Sequence, residues 1–80
     1  MALPQKVLEY LNENAERVGL ADLKAEADLF AAGVLDSFAI AEFIALLETE
    51  TGIKVSNADV FAANFETIAA IERLVERRRG

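Results

Sequence analysis

Residues 28–48 read DLFAAGVLDSFAIAEFIALLE, and the chain changes character in the middle of them. Up to Gly33 the apolar residues are irregularly spaced. After Ser37 they fall at Ile40, Phe43, Ile44 and Leu47, which is the i, i+3, i+4, i+7 recurrence of a single helical face. Gly52 follows as a stop signal. The stretch therefore predicts a structured loop feeding a helix over 37–51, with Asp36 or Ser37 as its cap.

Working outward, the pattern stays helical. Residues 4–18 place Val7, Leu8, Leu11, Ala15 and Val18 at helical spacing, between Pro4 and Gly19. Residues 19–36 then form a long loop pinned by Leu23, Leu29, Phe30 and Leu35. SNADVFA predicts a short third helix over 56–62, with Ser56 and Asp59 in a capping-box arrangement. Thr67 opens a last helix over 67–79, with Ile68, Ile71, Leu74 and Val75 inward. Arg77, Arg78 and Arg79 sit where a helix dipole favours positive charge. No segment alternates long enough for a sheet. The expected fold is all-α: a four-helix bundle with a long first loop and a short third helix, in one domain over 1–80.

Composition narrows the function. Net charge is −6, and three of the eight basic residues are the terminal arginines, so the body is more acidic still. Such a body repels phosphate backbones and anionic membrane surfaces and suits basic protein partners. No apolar run is long enough to span a bilayer, the N-terminus lacks the layout of a signal peptide, and there is no cysteine. A cytoplasmic monomer that binds neither nucleic acid nor membrane is expected.

Catalysis is poorly supported. A serine nucleophile needs a base, and the chain has no histidine. Lys6, Lys24 and Lys54 stand in no serine–lysine motif. A calcium loop starting at Asp28 fails, because Phe30, Ala32 and Ala39 occupy ligand positions. No catalytic residue and no metal ligand is expected. On a helical wheel Phe38 falls away from the apolar face and near Glu42, Ala45 and Thr49. This leaves it either a partner contact or a residue folded back under the loop.

The wider pattern resembles acyl carrier proteins and the related peptidyl and aryl carrier domains. The L-F-x-x-G-x-L-D-S core of 29–37 leads into a helix ending in a leucine-rich L-E, and N-F-x-T-I at 64–68 opens the last helix. The likeness covers essentially the whole chain. It implies that Ser37 is esterified by 4′-phosphopantetheine from coenzyme A, with Asp36 helping a separate phosphopantetheinyl transferase recognise the carrier. It further implies a non-enzymatic shuttle that holds acyl, aryl or aminoacyl cargo as a thioester. A loading ligase or acyltransferase and a downstream synthase or transferase would be its partners, docking on Phe38, Ala41, Glu42, Ala45 and Thr49. Fatty-acid carriers typically show D-S-L and then another acid, where this chain has Phe38 and Ala39. The wording is nearer to free-standing carriers with dedicated partners. The alternative is a small acidic helical adaptor that carries no arm.

Overall fold

The computed structural model describes residues 3–56, 59–60 and 62–79. Helix α1 spans Gln5–Arg17, α2 spans Ala39–Thr51, α3 is the four-residue Ala62–Phe65, and α4 spans Ile68–Arg79. All-helical architecture follows from the periodicity: α1 buries Val7, Leu11 and Ala15, α2 buries Phe43 and Leu47, and α4 buries Ile68, Ala70, Ile71, Leu74 and Val75. Helix α1 packs on α2 and α3 on α4. Phe43 sits at the centre, 5.9 Å from the Tyr10 ring centroid and 6.3 Å, edge-on, from that of Phe65. Among the described residues, no helix is long and apolar enough to cross a membrane, and no cluster of acids, histidines or cysteines could hold a metal ion.

The loop between α1 and α2 is a second, irregular piece of core. Leu29, Val34 and Leu35 are all buried within it. The Leu29 carbonyl accepts from both Val34 N (2.8 Å) and Leu35 N (3.0 Å), while the Leu29 amide donates to Glu66 O (2.7 Å). A second tie runs from Ala69 N to Ala25 O (3.1 Å). The loop is thus bonded to the α3–α4 junction. Asp28 caps its inner turn through Phe30 N and Ala31 N, and Gly33 reverses the chain at φ 83°, a conformation costly for residues with a Cβ. Leu35 pins the loop as its sequence suggests; Val34 is an equally buried anchor that the pattern did not mark out.

Three boundaries differ from expectation. Regular α2 begins at Ala39, because a capped turn over Asp36–Ala39 precedes it. The last helix begins after Thr67, whose hydroxyl accepts from Ala70 N (3.0 Å) and so acts as its cap. A short helix lies at Ala62–Phe65; of the expected span 56–62, positions 57, 58 and 61 lie outside the described residues, and Asp59 is in a 3-10 turn. The capping-box signal is real, but it closes a local turn: Asp59 accepts from Ser56 N and Ser56 Oγ, and Asp59 N donates to Ser56 O.

Asp59 also explains part of the arginine run. Its carboxylate takes Arg78 Nε at 2.8 Å and Arg78 Nη2, a forked pair, while Arg77 donates to Asn64 Oδ1 at 3.2 Å. These contacts fasten the end of α4 to α3 and to the segment ahead of it, which dipole reasoning alone did not foresee. The Arg78 hydrogen bonds, with those from Ser56, hold the Asp59 carboxyl at about 2, against an ordinary 3.8.

Two outcomes follow from this packing. Phe43→Ala should lower unfolding free energy by about 3–5 kcal/mol in urea denaturation, the usual cost of emptying a core aromatic site. For Asp59, a depressed folded-state value means its stabilisation is complete above the unfolded pKa near 3.8 and is lost as pH falls towards 2. Asp59→Asn should therefore melt below the parent protein at neutral pH, with the gap in Tm closing as pH falls through that window. A gap that stays constant down to pH 2 would contradict this assignment.

Candidate functional site

Asp36 organises the turn that carries Ser37. Its Oδ1 accepts from Phe38 N (3.0 Å) and Ala39 N (2.8 Å), and its carbonyl accepts from Ile40 N (2.9 Å). These are the bonds of an N-cap, and they decide between the two sequence candidates: Asp36 is the cap and Ser37 is not. The Ser37 side chain is exposed, and its hydroxyl has no hydrogen-bond partner among the described residues.

Helix α1 braces this turn from behind. Asn14 Nδ2 donates to Val34 O (3.1 Å), just before Asp36, and Tyr10 Oη donates to Ala39 O (3.3 Å), just after Phe38. The segment bearing Ser37 is therefore held on both sides by residues one helical turn apart. Burial and the neighbouring Glu42 carboxylate push the Tyr10 phenol above its ordinary 10.0, so it stays a neutral donor at physiological pH. Sequence reading missed Tyr10 and Asn14. With Arg17 they recur at i, i+4 and i+7 on one face of α1, a polar stripe that could have been noticed beside the apolar one.

The predicted docking residues share an exposed surface. Phe38 is 88% exposed, which excludes folding back under the loop. Ala41, Glu42, Ala45 and Thr49 are all exposed on α2, with the Thr49 hydroxyl donating to Ala45 O (2.9 Å). Glu48 is turned to structural use: its carboxylate accepts from Val55 N (2.9 Å) and anchors the connector after α2. That leaves a face with few charges beside Ser37. Next to it, an open groove of about 410 Å³ runs between α1 and the start of α2, and both chain neighbours of Ser37 line it.

Chemically, the arrangement offers an accessible hydroxyl in a rigid turn and no histidine to activate it. An N-cap bond to Ala lost is worth about 0.5–2 kcal/mol. Asp36→Ala should lose stability in that range by thermal or urea denaturation, whereas Ser37→Ala should remain within about 0.5 kcal/mol of the parent. Equal losses would reassign the cap.

A family model described as the phosphopantetheine attachment site matches residues 5–75. No curated protein and no solved structure matches the chain. The family match takes in α1, the braced loop, α2, α3 and most of α4, and the chain belongs to the phosphopantetheine attachment family, whose domains carry covalently bound 4′-phosphopantetheine and are generally non-catalytic.

Proposed function

We propose that Ser37 is the attachment residue, and that the chain carries acyl, aryl or aminoacyl cargo between enzymes. The observation that carries this reading is the exposed, unpartnered Ser37 hydroxyl in a turn already capped by Asp36. Because the cap does not need the serine oxygen, esterifying it breaks no hydrogen bond that holds α2. The residues fit the group: the oxygen is accessible, the backbone around it is fixed, and a groove lies alongside for a flexible chain.

Attachment requires a separate phosphopantetheinyl transferase. The Ser37 oxygen forms the new bond to phosphorus, the pyrophosphate bond of coenzyme A breaks, and the hydroxyl proton passes to a base of the transferase. The nucleotide half of coenzyme A is the leaving group. Once attached, the arm supplies a terminal thiol that holds cargo as a thioester. This chain contributes no cysteine of its own to compete for that cargo.

A loading ligase or acyltransferase and a downstream synthase or transferase are the natural partners. They would meet the carrier on Phe38, Ala41, Glu42, Ala45 and Thr49, with Asp36 adding an acid beside Ser37 for recognition by the transferase. Tethering makes delivery effectively intramolecular, so a small and weakly held docking face suffices. The 88% exposure of the Phe38 ring supports recognition through apolar contact there, with Glu42 as the charged residue of the face.

Incubating the folded protein with coenzyme A and a broad-specificity transferase should add one arm by intact mass. Ser37→Ala should add none, while keeping its helical circular dichroism. No mass gain by the folded parent protein would falsify the assignment and favour an adaptor without an arm.

A further inference from the structure

We propose that the groove between α1 and the start of α2 is the resting site of the arm, with the Arg17 guanidinium paired to its phosphodiester; this rests on the reading of Ser37 as the attachment point. Three observations favour the groove. It is large enough: about 410 Å³ falls within the range of roughly 300–1,000 Å³ usual for small-molecule sites. It begins at the attachment point, since Asp36 and Phe38 both line it. It also gathers unpartnered apolar surface. The exposed large hydrophobic residues among those described are Val18, Phe38 and Val60, and the first two line this one groove.

Electrostatics picks out Arg17. A phosphodiester on Ser37 adds a negative charge to a molecule already at −6, next to Asp36 and near Glu42. The start of α2 cannot offer it the amides of Phe38 and Ala39, because the Asp36 carboxylate holds both. Among the residues that line the groove, Arg17 is the basic one. Its position is not left to chance. Arg17 Nη1 donates a long, exposed hydrogen bond to Asn14 Oδ1 (3.4 Å), and Asn14 is itself tied to Val34 O (3.1 Å), which places the cation at the wall of the groove. A guanidinium fork matches two phosphate oxygens, an arrangement a lysine does not reproduce. Val18 and the Phe38 ring would then cover the dimethyl segment of the arm, removing apolar surface from water on both partners.

The pairing is solvent-exposed, so it should bias the arm towards the groove without locking it there. A loosely held arm can still leave for a docked enzyme.

The test compares apo protein with protein loaded from coenzyme A, by nitrogen-15 and phosphorus-31 NMR, after intact mass has established one arm. Loading should shift the amide signals of Tyr10, Asn14 and Val18 and the Arg17 side-chain Nε–H, all remote in sequence from Ser37. In Arg17→Gln, checked for helicity, the phosphorus signal should move and the α1 shifts should shrink, with Arg17→Lys restoring them only in part. Added salt should weaken the same shifts. If loading succeeds but shifts stay confined to the chain neighbours of Ser37, and Arg17→Gln leaves the phosphorus signal in place, the groove assignment is overturned while Ser37 stands. If folded protein gains no mass, both fall together.

Discussion

The backbone of Leu29 is the joint on which this small bundle depends. Helices α1 and α2 pack on each other, as do α3 and α4, and Leu29 links the two pairs. Its amide reaches Glu66 O ahead of α4, and its carbonyl gathers Val34 and Leu35 ahead of α2. With its side chain fully buried, the residue is fixed on every side. An irregular loop in a compact domain must satisfy its backbone groups somewhere, and Leu29 alone joins it by backbone bonds to both Glu66 and the Val34–Leu35 pair. Everything functional downstream, from the Asp36 cap to the outward Ser37 and Phe38, inherits its location from that joint.

The same carboxylate device is used twice in the loop. Asp28 and Asp36 each accept from the amides two and three residues downstream, and each closes a turn. The second use has a chemical consequence. A serine that capped α2 itself would have its hydroxyl oxygen engaged, and modification would then compete with helix stability. Assigning the cap to the neighbouring aspartate separates the two duties. Recognition and chemistry can act on residue 37 while residue 36 keeps the helix start in order.

Much of this was legible in the sequence, and the reason is locality. The apolar faces of α1, α2 and α4 are periodic, so Val7, Leu11, Phe43, Leu47, Ile71 and Leu74 announce their burial. The Asp36–Ser37–Phe38 turn is also local, and its residues stand side by side in the chain. What sequence did not reveal depends on distant pairs. Tyr10 and Asn14 look like the solvated side of an amphipathic helix until the end of the loop and the start of α2 are laid against them. Asp59 and Arg78 meet only when α4 folds back along α3. The short helix Ala62–Phe65 was not announced by the Ser56–Asp59 capping pair, because a cap motif alone does not say how many residues will follow it.

The two sides of the Leu29 joint differ in how they would bear a change of length. Ahead of Asp28 the chain is largely exposed, and the ion pair there, Lys24 with Asp22, is itself on the surface. An extra residue around 21–24 would lengthen an exposed connection at little entropic cost. Between Leu29 and Ser37 there is no such slack, because both ends are bonded and the intervening Val34 and Leu35 are buried. A single insertion there would rotate the serine out of the turn or pull a core side chain into water. Natural variation in loop length within this fold should therefore accumulate on the α1 side of Leu29, leaving the spacing from that leucine to the serine as a fixed ruler.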